Sequence, residues 1–360
     1  MSPETIFLIL GFTFGFYMAW NIGANDVANS MASAVGAKAI TIRQAIFIAG
    51  LLNIVGATFI GSHVTNTIRK GIISTEVMSD PQLALAGALA ALLASALWVS
   101  FATWRSLPVS TTHSIVGAMI GFGIMAGGIE MVNWVKLGAV VLSWVISPVF
   151  SLVIGFVMFK VIVWRILSRR EHFIQALRFS PYFISVAIFV VVLSFLFKTP
   201  LGKTISISMP FAIMMSFTMA LIMGFIGRLL LKKVIPYSEN NGAEEIFRRI
   251  QIGTSCYVAL AQGANDVANA IGPLAAIFSV VKTGSVAMQI EVPVWMLAIG
   301  GIAVGGGLFA FGSRVMETIG GKITEVAPVR GFCAEFGAAT TILVCSRLGL
   351  PVSTTHVLVG

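Results

Sequence analysis

The sequence is poor in charge. Asp, Glu, Lys and Arg make up only 10% of its 360 residues, whereas soluble globular proteins carry about 25% charged residues. Hydrophobic residues account for 57%, and the mean hydropathy is +0.96. These values exclude a soluble enzyme and a disordered chain, because a surface with so few charges suits a lipid bilayer.

Cysteine is scarce as well. The three cysteines, all within apolar stretches, are Cys256, Cys333 and Cys345. They follow no metal-ligand spacing and form no disulfide framework. The first residues carry no Lys or Arg, so we expect no cleaved signal peptide.

Ten apolar stretches approach or exceed the length of about 20 helical residues that is needed to cross a bilayer. They are continuous runs, which favours helices over the alternating strands of a membrane β-barrel. We therefore predict an all-α polytopic membrane protein with about 10 to 12 transmembrane segments. The stretches lie near 4–22, 44–62, 82–104, 108–127, 134–163, 182–198, 206–231, 251–278, 293–312 and 329–348.

The net charge of +9 lies mainly in short loops. Arg165, Arg169, Arg170 and Arg178 fall in or beside a loop predicted over 165–181, and further Lys and Arg residues lie in 232–250. The positive-inside rule places both loops in the cytoplasm. Membrane topology thus explains the basic charge, so no nucleic acid is expected as a partner.

Two motifs occur twice in the chain. Gly23 to Asn29 reads GANDVAN and recurs letter for letter at Gly263 to Asn269, and PVSTTH occurs at Pro108 and again at Pro351. A weaker echo relates 61–68 to 312–319. Matched motifs in the same order indicate an internal duplication.

The predicted topology makes the two copies inverted. The first unit starts outside and the second starts from a cytoplasmic loop, an arrangement typical of secondary transporters with a site at the repeat interface. Five crossings fit the first unit if 108–127 is broken or partly re-entrant. We predict a first repeat over 1–164, cytoplasmic loops with two linking helices over 165–250, and a second repeat over 251–360. Because Gly360 matches Gly117, the second repeat is expected to be truncated.

The GANDVAN copies place carboxylates in apolar surroundings. Asp26 and Asp266 each have an Asn one residue before and another three residues after. A carboxylate inside a membrane protein is costly and marks a functional site by default. Carboxylate and amide oxygens suit small hard cations. We expect sodium ligands at Asp26, Asn29, Asp266, Asn269, with Gly23 and Gly263 permitting the helix to unwind.

The PVSTTH copies have an anion-binding character. Pro interrupts a helix, Ser and Thr are favoured at helix starts, and free N–H groups at such a start attract anions. The alternative is that these hydroxyls bond back to their own helix. The candidate substrate ligands are Asn25, Asp26, Ser110, Thr111, Thr112, Asn265, Asp266, Ser353, Thr354, Thr355 and, more weakly, Gln262.

Neither motif contains Lys or Arg. An anion beside two acids therefore needs co-bound cations or must bring a proton, and phosphate carries a proton at neutral pH while sulfate does not. Glu335 stands alone in an apolar run as a further candidate for a cation or proton path. His113 and His356 end the PVSTTH copies and are read as spacers. A Ser-His-Asp hydrolase is disfavoured because no nucleophile elbow occurs, so the chain is not predicted to be an enzyme.

On these residues the chain resembles the inorganic phosphate transporter family of cation-coupled symporters. The paired GANDVAN and PVSTTH motifs carry the resemblance over essentially the whole chain. It implies phosphate uptake with Na⁺ or H⁺, an extracellular N-terminus, a plasma-membrane location and a possible homodimer. The short 165–250 segment resembles prokaryotic members, and Asn53 stands where animal members have a second-helix acid.

The resulting hypothesis is alternating-access symport of phosphate with at least two Na⁺ ions, without a resident cofactor. The cations would bind near Asp26/Asn29 and Asp266/Asn269, with phosphate between Asn25, Asn265 and the two Ser-Thr-Thr segments. The alternatives are H⁺ coupling, a metal–phosphate symporter or a sulfate permease of the same fold.

Overall fold

The computed structural model describes residues 2–61, 80–196, 208–235, 242–285, 292–322 and 327–359. All long elements in these ranges are helices, as predicted. They are α1 Pro3–Asn25, α2 Asn29–Gly36, α3 Ile42–Ile60, α4 Pro81–Trp104, α5 Thr111–Gly127, α6 Trp134–Ile162, α7 His172–Leu196, α8 Met209–Val234, α9 Ala243–Thr283, α10 Val294–Lys322, α11 Pro328–Leu348 and α12 Thr354–Val359.

Nine helical spans within the described residues are long and apolar enough to cross a membrane, and α5 is a shorter apolar helix. All ten predicted stretches therefore fall on helices. Two boundaries differ, because α7 begins at His172 rather than near 182, and α9 begins at Ala243 rather than near 251. Both extensions carry polar residues on one face and buried Phe173 or Phe247 on the other, so the helices continue beyond the apolar core.

Local capping fixes several helix starts. Asp80 accepts hydrogen bonds from the backbone N–H groups of Gln82 and Leu83, with Pro81 as the first residue of α4. Ser110 caps α5 by accepting from the N–H of His113 at 3.2 Å. Such caps satisfy N–H groups that have no partner inside the helix, so these starts are specified by the sequence itself.

The two GANDVAN copies adopt different backbones. In the first copy the helix is interrupted over Asp26–Ala28, between α1 and α2. In the second copy α9 is continuous from Ala243 to Thr283, so the expected unwinding at Gly263 does not occur. The same seven residues take two forms, and the surrounding contacts must decide between them.

The motif glycines serve close packing between the units. A Cβ at Gly23 would lie 1.7 Å from the carbonyl oxygen of Val304 in α10, and one at Gly263 would lie 2.4 Å from that of Asn53 in α3. Glycine thus lets the first helix of each unit touch the second helix of the other. The two units interlock along these contacts.

The first helices of the two units run in opposite directions. Gly11 and Gly15 of α1 face Ile277 and Leu274 of α9, respectively, while Asp26 at the other end of α1 contacts Gln262. Residue numbers thus rise along one helix as they fall along the other, as an inverted duplication requires. The predicted division into 1–164, 165–250 and 251–360 stays a prediction.

Helices α4 and α5 form an antiparallel hairpin. Ser95 donates to the carbonyl of Ser114 at 3.2 Å, and Gly87, further up α4, faces Phe122. Because α5 starts at the buried Thr111 and runs back along α4, its position agrees with a broken or partly re-entrant 108–127. The five crossings expected for the first unit stay a prediction.

The core surrounds α9, which is buried along nearly its whole length. By contrast, α7 and α8 pack on each other at the periphery. Helix α8 exposes most of its apolar side chains, and those of α7 are mainly half-buried. In the echo between 61–68 and 312–319, positions 62–68 and the side chains of 318–319 lie outside the described residues.

Candidate functional site

Asp26 and Asp266 meet in the interior. Each is only 1% exposed. The hydroxyl oxygen of Thr354 lies 3.1 Å from Oδ1 of Asp26 and 3.1 Å from Oδ2 of Asp266. One threonine therefore bridges the carboxylates of the two repeats, which stand 240 residues apart in the chain.

Asp26 is closely surrounded by hydrogen-bond donors. The Thr111 hydroxyl lies 2.7 Å from Oδ2, and the Thr355 hydroxyl lies 2.5 Å from Oδ1. The amide nitrogen of Asn29 is 3.3 Å from Oδ1. These donors come from both units, because Thr111 begins α5 while Thr354 and Thr355 begin α12. Charged acceptors of this kind form the stronger class of hydrogen bonds.

Asp266 has a sparser environment. Besides Thr354, its described partner is the amide nitrogen of Asn265 at 2.7 Å, which also donates to the carbonyl of Val352 at 2.9 Å. The two carboxylates are equivalent in sequence but not in surroundings. Asp266 therefore depends far more on the bridging hydroxyl of Thr354 than Asp26 does.

Asn269 faces the other unit rather than Asp266 in this structure. Its amide nitrogen lies 3.1 Å from the hydroxyl oxygens of both Thr111 and Thr112. Thr112 in turn donates to the carbonyl of Val352 at 3.1 Å. The tips of the two Ser-Thr-Thr segments thus touch each other and close over the acidic pair.

Four amide oxygens in this centre are buried and lack a hydrogen-bond donor among the described residues. They belong to Asn29, Gln262, Asn265 and Asn269. A buried polar atom normally finds a partner, so an unpaired acceptor requires an explanation. Amide oxygens beside two carboxylates are the ligands that hard cations prefer.

Asn25 has a different surrounding from the other predicted substrate ligands. Its amide nitrogen donates to Thr103 at 3.0 Å and to the carbonyl of Leu107 at 2.9 Å, and its oxygen accepts from the N–H of Val109 at 2.9 Å. All its polar hydrogens and its oxygen are engaged. Asn25 therefore holds the turn that leads into α5.

Ser110 and Ser353 act in parallel at the two tips. Each hydroxyl oxygen accepts from the backbone N–H three residues later, of His113 and His356 respectively, at 3.2 Å. Both are buried beside the threonines. Gln262 also reaches the centre, since its amide nitrogen lies 3.3 Å from the carbonyl of Asp26.

Glu335 occupies a second polar pocket. It is 1% exposed and accepts from Ser33, from Thr254 at 2.5 Å and from Ser255 at 2.7 Å. When the two PVSTTH copies are aligned, the residue that corresponds to Glu335 in the first unit is Leu92, which is fully buried and apolar. Among the described residues, the acid of this pocket therefore has no counterpart in the first unit.

The polar partners of Glu335 were not predicted from the sequence. Thr254 and Ser255 form a polar pair inside the apolar start of α9, and this pair is the signal that could have pointed to them. Ser33 lies on α2, just after the first GANDVAN copy. The hydroxyls converge only because α2, α9 and α11 pack together.

No basic side chain balances these acids within the described part of the chain. The ion pairs found there join Glu245 to Arg248 and Arg249 at the start of α9. Burying a carboxylate without a counter-ion is costly. The centre thus has the chemistry of a cation site with hydroxyl donors at its edge.

Comparison with known proteins identifies the family of the chain. The sequence profile of the Phosphate transporter family matches residues 22–360. A protein of Pyrococcus abyssi assigned as a phosphate permease is 48% identical, over 98% of this chain and 87% of its own length.

Two further relatives extend the comparison. The inorganic phosphate transporter 2-1 of Arabidopsis thaliana, a chloroplast protein, is 41% identical over 96% of this chain and 63% of its own length. A solved structure described as the sodium-dependent phosphate transporter superposes with a TM-score of 0.92 and 46% identity, over 98% of this chain and 88% of that one. The chain is an integral membrane protein that belongs to the Phosphate transporter family.

Proposed function

We propose that this protein takes up inorganic phosphate by symport with at least two Na⁺ ions per phosphate. The observation that carries the proposal is the buried pair Asp26 and Asp266, bridged by the Thr354 hydroxyl where the tips of both repeats meet. This arrangement offers cation ligands and anion donors within one enclosed centre.

The cation half of the proposal rests on the oxygen atoms. Two carboxylates and four unpaired amide oxygens converge without a basic residue among the described ones. Na⁺ is preferred over H⁺ because amide and hydroxyl oxygens coordinate cations but do not carry protons at neutral pH. We assign one ion to Asp26 with Asn29 and another to Asp266 with Asn269.

The phosphate half rests on the hydroxyls. Three hydroxyls lie within hydrogen-bond distance of Asp26, those of Thr111, Thr354 and Thr355. The Thr112 hydroxyl accepts from the amide of Asn269. A hydroxyl that donates to a carboxylate in one state can donate to a phosphate oxygen in another. An anion is repelled by two bare carboxylates, so phosphate binding requires the cations and coupling follows from electrostatics.

The membrane potential supports a lower bound of two Na⁺ ions per phosphate. Moving one charge through 100 mV is worth about 2.3 kcal/mol. Monovalent phosphate with one Na⁺ is neutral, so the membrane potential does not drive its entry. With two Na⁺ ions the complex carries one positive charge, and the potential draws it inward. Glu335 lies in a separate pocket, and we assign it a further cation or proton.

Transport by alternating access would use the inverted arrangement of the units. The α4–α5 hairpin and the α11–α12 arm touch at the centre, so separating their tips opens the acidic pair toward one side. The plasma-membrane location and the homodimer stay predictions.

The test is radiolabelled phosphate uptake into proteoliposomes, with an inward Na⁺ gradient compared with K⁺ at fixed pH and voltage. We expect accumulation with Na⁺ alone. Asp26→Asn and Asp266→Asn should each abolish coupled uptake, while the matched control Asp80→Asn should retain it, because Asp80 is an exposed helix cap.

Other outcomes would redirect or refute the proposal. Uptake driven by an acidic exterior without Na⁺ would show that protons are the coupled ion. Competition by sulfate would indicate a sulfate permease, and a requirement for divalent metal would indicate a metal–phosphate symporter. Undiminished Na⁺-driven uptake in both aspartate variants would refute the site.

A further inference from the structure

The two histidines that end the PVSTTH copies lie against each other. The rings of His113 on α5 and His356 on α12 have centroids 4.6 Å apart at an angle of 75°. They are 243 residues apart in sequence and belong to different repeats. Neither histidine contacts Asp26 or Asp266, so the transport mechanism above leaves the pair unused.

His113 is held in place on one side. Its ring centroid is 3.8 Å from that of Trp144 on α6, and the Trp144 indole N–H donates to the carbonyl of Pro351 at 3.1 Å. The Nε2 atom of His113 is buried and has no hydrogen-bond partner among the described residues. A buried polar atom without a partner requires an explanation, and imidazole is the commonest metal ligand in proteins.

The pair opens into a cavity of about 500 Å³. Its polar lining includes Ser110, Ser114 and Thr355, and its apolar lining includes Trp98 and Pro108. His356 is exposed to this space. The cavity has room for an ion that carries water ligands in addition to two imidazoles.

The ring separation fits a shared ion. Zn²⁺ binds imidazole nitrogen at about 2.0–2.1 Å in tetrahedral geometry, which places two imidazole centroids on one ion about 5 Å apart. The observed 4.6 Å is close to that value, so the two rings stand at a separation that one shared ion permits. Neutral imidazole is a preferred ligand of Zn²⁺, Ni²⁺ and Cu²⁺.

We propose that His113 and His356 form a binding site for one divalent transition-metal ion, which ties the α5 tip to the α12 tip. The ion would be completed by water or by a serine hydroxyl of the cavity. Because the two tips must separate for alternating access, the bound ion would hold them together and inhibit transport. The binding site stands independently, whereas the inhibition rests on the proposed function.

Binding is tested first on the purified full chain in detergent, without phosphate, by isothermal titration with NiCl₂ and ZnCl₂. One ion per chain is expected. His113→Ala and His356→Asn should each weaken the affinity by more than about tenfold, and His356→Asp, which keeps a metal ligand, should restore part of it. The matched control His172→Ala lies at the start of α7, outside the cavity, and should bind as the parent does.

Transport is tested second, by phosphate uptake at buffered free Zn²⁺. Inhibition reversed by EDTA is expected in the parent and in His172→Ala, and its loss is expected in His356→Asn. Equal binding in the parent and in both histidine variants would overturn the site. Binding that depends on the histidines without any effect on uptake would overturn the inhibition, while absence of Na⁺-driven uptake in the metal-free parent would instead refute the proposed function.

Discussion

The bridging hydroxyl of Thr354 gives the sharpest test of the site. Thr354→Val removes the hydroxyl with little change in volume. Asp26 would keep Thr111, Thr355 and Asn29 as donors, whereas Asp266 would keep only Asn265. We therefore expect the substitution to weaken mainly the binding of the cation at Asp266.

The magnitude follows from the two contacts of 3.1 Å. A hydrogen bond to a charged group contributes about 1.5–3 kcal/mol, which corresponds to about a 10- to 150-fold change in affinity. Since Asp266 holds only one of the two proposed ions, the Na⁺ dependence of uptake should shift to higher concentration and become less steep.

The assay is a Na⁺ titration of phosphate uptake in proteoliposomes at saturating phosphate. Thr354→Ser should behave nearly as the parent because it retains the hydroxyl. Thr218→Val is the matched control, since the Thr218 hydroxyl bonds only to the carbonyl of Met214 on an exposed helix face. An unchanged Na⁺ titration in Thr354→Val, in protein of normal thermal stability, would refute the bridging role.

Two further predictions concern the second pocket and the packing of the units. Glu335→Gln should weaken the apparent Na⁺ affinity in uptake while leaving the phosphate KM at saturating Na⁺ unchanged; a raised phosphate KM alone would contradict a separate ion site. Gly307→Ala should lower the unfolding temperature in detergent, because a Cβ there would lie 1.8 Å from the Trp20 carbonyl oxygen and overpacking costs about 1–3 kcal/mol. Gly117→Ala, with open space around its Cβ, should unfold as the parent does, and equal stability of the two variants would count against the close packing.

Much of the site could be predicted from the residues alone. A carboxylate in an apolar segment is costly, so Asp26, Asp266 and Glu335 stood out without any structure. The repeated motifs also indicated that the acids and the Ser-Thr-Thr segments belong together. The donors around Glu335 could not be predicted, because Ser33 and Thr254 lie on helices whose contact depends on packing across the chain.

The symmetry of the sequence also concealed differences. It gave no reason for Asn25 to be fully engaged at the turn before α5 while the Oδ1 of Asn265 lacks a donor among the described residues. Nor did it indicate that Asn269 would pair with the other unit's Thr111. Identical motifs have identical local preferences, so such differences arise only from unequal neighbours.

The sequence by itself determined that the protein lies in a lipid bilayer, where its helices are, that it contains a duplication and which chemical groups form the site. These follow from composition, apolar run length and motif identity, which are local properties of the chain. Tertiary structure alone decided that the helix breaks at Asp26 and continues through Asp266, and that Thr354 joins the two acids. The physical reason is that these features depend on which helices touch, and close packing between distant segments sets those contacts.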